Sequence, residues 1–188
     1  GFFDTVISIK ASTVTDMIEA NKLLSERVDY PLHLGVTEAG FGIDAAMKSS
    51  LGIGSLLSMG IGDTIRVSLT DAPEEEVKLA SKMLSELGLR ERQGMNIISC
   101  PTCGRTKIDL ISLTRRFTEA AEKAGILDKP ISVALMGCAV NGPGEAREAN
   151  IGIAGGIECG LLFKGGEILR KIPEDSLIDE LIGEILKM

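Results

Sequence analysis

The sequence predicts an α/β region followed by a smaller α+β domain. Three apolar, β-like runs at residues 5–10, 32–36 and 64–69 each lead into a stretch of helical periodicity. A short polar break at residues 89–94 (L-R-E-R-Q-G) follows, and beyond it β-like runs outnumber helical ones. Successive strand-helix units with apolar strands make a parallel sheet covered by helices. The break divides the chain into domains at 1–92 and 93–188.

Residues 5–10 (T-V-I-S-I-K) read as a strand because β-branched residues dominate and no turn former interrupts. Thr13 with Asp16 three residues on marks a helix start, and Met17, Ala20 and Leu24 recur at helical spacing to about Arg27. Pro31 precedes a second strand at 32–36. After the turn at 40–42, Ile43, Ala46, Ser50 and Leu51 define a second helical face, which Gly52 and Gly54 should weaken. A third strand at 64–69 meets Asp71 as a cap, Pro73 in the first turn and three acidic residues that favour a helix N-terminus. That helix is expected to bury Val77, Ala80, Leu84 and Leu87 and to stop at Gly88.

In the second domain a strand at 95–99 leads into a cysteine pair. A helix at 110–124 uses Leu110, Leu113, Phe117, Ala120, Ala121 and Ala124 as its apolar face and ends at Gly125. Strands follow at 131–136, 151–154, 158–164 and 168–172, the last two joined by a hairpin turn through Gly165 and Gly166. An amphipathic helix at 174–188 carries Leu177, Leu181, Ile185 and Met188 on one stripe.

Composition excludes some classes of function. A formal net charge of −7, no Trp, five Phe and one Tyr are wrong for a nucleic-acid surface, which needs a basic stripe and stacking platforms. No apolar run approaches the ~20 residues of a membrane span, and the first residues lack a signal peptide's basic start, so a cytoplasmic protein is expected. Four cysteines without a secretory signal suggest metal or redox chemistry rather than a disulfide framework. The lone His33 excludes His-rich metal sites.

Two loop motifs carry the chemistry, C-P-T-C-G-R at 100–105 and M-G-C-A-V-N-G-P-G-E at 136–145. Two residues between Cys100 and Cys103 let both sulfurs point to one side of a tight turn, and Cys138 lies in a second turn-rich loop with Glu145 close behind. Thiolates select soft centres, either an iron–sulfur cluster or zinc. Cys100, Cys103, Cys138 and Cys159 could make a four-thiolate zinc site of a non-catalytic binding module, or Cys100 and Cys103 a redox dithiol. Cys159, in an apolar run, reads more simply as a small buried hydrophobe.

The first domain places its polar residues at strand ends: Lys10 and Ser12 at the first, Thr37 and Glu38 at the second, Arg66, Ser68 and Thr70 at the third. In a barrel of such units the C-terminal strand ends build the active site. Lys10 and Arg66 converging there suit an anionic substrate such as a diphosphate, Arg66 as a planar fork and Lys10 as a point charge.

The two cysteine motifs resemble the C-terminal cluster domain of the 4-hydroxy-3-methylbut-2-enyl diphosphate synthase family. Upstream, I-S-I-K-A-S, H-L-G-V-T-E-A-G and G-D-T-I-R-V-S-L-T look like the last strands of that family's (β/α)8 barrel. The resemblance implies the last three βα units of a barrel followed by a cluster domain similar to the half-module of sulfite and nitrite reductases. It implies a [4Fe-4S] cluster held by Cys100, Cys103, Cys138 and Glu145, a cyclic diphosphate bound by Lys10, Arg66 and Ser68, and proton handling at Glu38. Ser12 and Asn141 complete the expected substrate-binding set. The implied reaction is reductive opening of 2-C-methyl-D-erythritol 2,4-cyclodiphosphate in isoprenoid precursor biosynthesis. Reduced flavodoxin or ferredoxin is the expected donor, since no G-x-G-x-x-G follows a strand. A homodimer in which one chain's cluster domain caps its partner's barrel is also implied. The family has a whole barrel ahead of the cluster domain, so this chain is expected to be incomplete and to bind substrate poorly.

Overall fold

The computed structural model describes residues 1–139, 144 and 146–188. They form two compact units, Gly1–Arg92 and Gln93–Met188.

In the first unit, helix α1 (Val14–Ser25) starts where Thr13 Oγ1 accepts the Asp16 N–H at 3.2 Å. Strand β1 (His33–Leu34) pairs in parallel with β2 (Thr64–Ile65), in the register His33 opposite Thr64 and Leu34 opposite Ile65. Residues 5–10, expected as a full strand, make a single parallel bridge, Ile7 to Leu32. The extended backbone nevertheless continues in that register, since the Ile7 N–H donates to Pro31 O, the His33 N–H to Ile7 O and the Thr37 N–H to Ala11 O. The three runs are thus shorter as strands than expected, but they lie side by side and parallel.

Helix α2 (Gly42–Ser58) and helix α3 (Pro73–Glu86) cover the apolar side. Their buried faces differ from those expected. In α2 the buried residues are Ala45, Ser49, Gly52, Ile53, Gly54 and Leu56, while Ile43 and Leu51 are exposed. Gly52 does not merely weaken α2, because a methyl there would stand 2.7 Å from Val36 Cγ2 and 2.9 Å from Met17 Sδ. Small residues let α2 approach the sheet and α1 closely. Gly52→Ala is expected to destabilise the fold by about 1–3 kcal/mol through overpacking, and an unchanged urea midpoint would refute that close-packing role. In α3 Met83 is buried and Val77 is exposed. Its N-cap is Ala72, not Asp71, whose carboxylate accepts the Ala72 N–H at 2.7 Å.

The second unit is a five-stranded mixed sheet in sequential order. β3 (Asn96–Ser99), β4 (Ser132–Met136) and β5 (Ile151–Gly155) are parallel, and β6 (Cys159–Lys164) and β7 (Glu167–Pro173) return antiparallel. The β6–β7 turn is Gly165-Gly166, both at positive φ (56° and 84°), as a two-residue hairpin of this kind requires. Helix α4 (Leu110–Lys123) is capped by Asp109, whose Oδ1 accepts the Ser112 N–H at 3.1 Å. A 3-10 turn (Glu174–Ser176) precedes helix α5 (Leu177–Leu186), whose buried stripe is Leu177, Ile178, Leu181 and Ile185, with Met188 exposed. The core joins α4 and α5 through Phe117, Leu135, Ile153, Leu162 and Leu181. No helix among the described residues is long and apolar enough to cross a membrane.

Candidate functional site

The parallel register of the first unit sorts its side chains. Leu32, Leu34, Val36, Ile65 and Val67 pack with Ile7 and Ala11 in the core. Side chains alternate along extended backbone, so the other face carries three polar rows. These are Ser8, His33 and Thr64; then Lys10, Gly35 and Arg66; then Ser12, Thr37 and Ser68.

The middle row holds the charge. Gly35 is buried and supplies no side chain, and a methyl on it would stand 2.9 Å from Arg66 O and 3.6 Å from Lys10 Nζ. The Lys10 stem therefore lies over Gly35, toward Arg66. Burial and then the Arg66 charge hold the Lys10 ammonium below its ordinary value. Arg66 is oriented by its Nε–H, which donates to Ser68 Oγ at 3.1 Å. Among the described residues neither cation has a carboxylate ion-pair partner. Two cations on one row without a carboxylate partner are suited to an anion.

Above this row, residues 37–40 are tied on both sides, the Thr37 N–H to Ala11 O and the Thr70 N–H to Gly40 O. Within this stretch Glu38 takes φ +55°, a left-handed conformation uncommon for a residue with a side chain. Strain of this kind persists where the surroundings fix it and clusters at functional sites. Lys10, Arg66 and Ser68 thus gather on one face, with Ser12 in the next row and Glu38 in the adjoining loop.

The sequence reading missed His33, treating it only as an argument against His-rich sites. It sits on the polar face, its Nδ1 2.8 Å from Thr64 Oγ1. The period-two pattern His33, Gly35, Thr37 was the signal that could have found it.

In the second unit the cysteines share one edge of the sheet. Cys100 follows the end of β3, Cys138 lies two residues beyond β4, and the β5–β6 turn brings Cys159 to the same edge. The Gly137 N–H donates to Cys100 Sγ at 3.3 Å, joining the first two loops directly. The loop carrying Cys103 folds onto Gly137: the Lys107 N–H donates to Gly137 O at 2.9 Å, and a methyl on Gly137 would stand 2.8 Å from Thr106 Cγ2. Cys103 is exposed, and its thiol is held below the ordinary value by hydrogen bonds from the Arg105 N–H and guanidinium, then from Thr106. Cys138 is buried, and Cys159, expected to be buried, is half-exposed. A cavity of about 350 Å³ opens beside Cys100, lined also by Pro101, Leu110, Thr114 and Arg115. Glu145 and Asn141 lie outside the described residues.

The donor chemistry fits an iron–sulfur cluster: soft sulfurs on loops of one sheet edge, one already accepting a backbone N–H and another favouring its thiolate. As placed, no three His, Cys, Asp or Glu side chains among the described residues stand close enough together to hold a metal ion.

Comparison with known proteins meets this geometry in both units. The GcpE TIM-barrel domain model matches residues 1–81, and the GcpE protein C-terminal domain model matches residues 96–187. The chain belongs to the GcpE family. The chain is similar throughout to 4-hydroxy-3-methylbut-2-en-1-yl diphosphate synthase (flavodoxin) of Caldanaerobacter subterraneus subsp. tengcongensis, at 56% identity over 188 residues, 100% of this chain and 52% of the relative. The protein of the same name from Clostridium acetobutylicum is 57% identical over 187 residues, again 100% and 52%, and that from Geobacter sulfurreducens 50% over 188 residues. This GcpE-family chain therefore spans about half the length of the curated relatives it matches.

Proposed function

We propose that the chain is the C-terminal half of a 4-hydroxy-3-methylbut-2-enyl diphosphate synthase, which opens 2-C-methyl-D-erythritol 2,4-cyclodiphosphate reductively and removes a hydroxyl. The observation that carries this reading is the row Lys10–Gly35–Arg66, two cations with no acid partner among the described residues.

In this proposal the first unit comprises the last three βα units of a (β/α)8 barrel, whose C-terminal strand ends face the substrate. Arg66, steadied by Ser68, and Lys10 bind the diphosphate; Ser12 and Asn141 add hydrogen bonds. Glu38 holds and donates the proton with which the departing hydroxyl leaves as water, from a loop tied at Thr37 and Gly40. The second unit, similar in this proposal to the half-module of sulfite and nitrite reductases, carries Cys100, Cys103, Cys138 and Glu145 as ligands of a [4Fe-4S] cluster. When bound, the cluster supplies single electrons and a Lewis-acidic iron. Glu145 would be the one oxygen ligand, and a carboxylate would yield its position to a substrate oxygen more readily than a thiolate. Flavodoxin, which the relatives' names carry, or ferredoxin is the donor, and the active assembly is a homodimer in the cytoplasm.

The test is anaerobic purification of the full-length protein, with iron analysis, sedimentation and turnover of the cyclic diphosphate by reduced flavodoxin. A brown dimer with about four irons per chain and turnover is expected. A colourless protein with one tightly bound zinc and no turnover would sink the reading in favour of a zinc-stabilised module.

A further inference from the structure

We propose that His33 is a third donor of the anion site, presenting its Nε2–H to the phosphate group held between Lys10 and Arg66. The inference rests on the diphosphate reading above and adds a residue to it.

The placement follows from register. His33 precedes Gly35 by two residues, so both face the polar side of the sheet, and the absence of a side chain at Gly35 lets the Lys10 stem cross that face between His33 and Arg66. The imidazole is fixed by its neighbour, Nδ1 lying 2.8 Å from Thr64 Oγ1. If the Thr64 hydroxyl donates to Nδ1, the neutral ring carries its proton on Nε2, the nitrogen left to meet a ligand.

Charge then links the site to protonation. Burial and the charges of Lys10 and Arg66 hold His33 below its ordinary value, which favours the neutral ring at neutral pH. The other groups near it are Ser8, whose hydroxyl donates to His33 O at 3.1 Å, and Asp63, whose carboxylate accepts the Leu32 N–H at 2.8 Å. An anion held between Lys10 and Arg66 offsets both cations, and the ring can then take one proton from solvent and place positive charge on the ligand. The His33 midpoint therefore rises on binding, and affinity falls as pH climbs through the midpoint of the complex.

In the full-length protein the His33 ring ¹³Cε1–¹H signal is assigned by its loss in His33→Gln. The experiment titrates that signal with pH, with and without inorganic pyrophosphate, and measures pyrophosphate affinity of the wild type, Lys10→Ala and His33→Gln. The expected result is a midpoint below that of a free histidine, moving upward with pyrophosphate, and about ten-fold weaker binding by His33→Gln. Binding that depends on Lys10 but leaves the His33 midpoint and the His33→Gln affinity unmoved overturns this inference alone. Absence of pyrophosphate binding by the wild type overturns the diphosphate reading and this inference together.

Discussion

Lys10→Met in the full-length protein is expected to lower kcat/KM for the cyclic diphosphate by on the order of 10²–10³-fold, the usual loss when one fixed electrostatic contact to the reacting group is removed. Methionine retains the stem that lies over Gly35 and deletes only the charge. Stability separates this role from a structural one. A lysine whose folded value lies below its unfolded one costs the fold stability while charged, and the penalty is lifted only as pH rises from the folded value past the unfolded one. At neutral pH the penalty is fully present. Lys10→Met should therefore leave Tm unchanged or raise it while activity collapses, whereas a structural lysine would lose both. Arg66→Lys should be nearly as damaging, because an ammonium cannot donate to Ser68 and grip a phosphate as a planar fork does. Unchanged kcat/KM in Lys10→Met would remove Lys10 from the site.

Local rules read well from the sequence where one residue decides the outcome. Thr13 caps α1, the Gly165-Gly166 pair turns the hairpin, and the positive φ of Gly125 (+64°) follows α4. Helix faces were legible only where large apolar residues are the buried ones, as with Leu110, Leu113 and Phe117 in α4. In α2 that rule chose Ile43 and Leu51, both exposed, over Ala45, Ser49 and Gly52. Which face turns inward there is set by how closely Val36 and Met17 approach, and periodicity does not encode that distance. The sites divide similarly. Lys10, Arg66 and the cysteines announce themselves by residue type. Gly35 acts by lacking a side chain and His33 through its strand neighbours, so both emerge only when register places three segments side by side.

Cys103→Ala and Glu145→Ala are expected to fail differently, and the contrast tests the mixed ligand set. Cys103 is an exposed thiol inclined to its thiolate by Arg105 and Thr106, on a loop seated over Gly137. Removing one of three thiolates should empty most of the iron and abolish turnover, since the remaining sulfurs no longer enclose the cluster. Glu145 lies outside the described residues, but Ala146 beside it is buried in a cluster with Met136 and Ala154, which end β4 and approach the end of β5 on the cysteine edge. A carboxylate next to that anchor is proposed to hold the one iron that substrate must reach. Glu145→Ala should then keep much of its iron on three sulfurs and still lose turnover, while far-UV circular dichroism stays native. Iron and sulfide analysis beside single-turnover kinetics on the two anaerobically prepared variants distinguishes the cases. Normal turnover in Glu145→Ala would show the carboxylate to be a surface acid. Iron loss as complete as in Cys103→Ala would instead make Glu145 a ligand as essential to holding the cluster as the sulfurs, and no longer the position that opens to substrate.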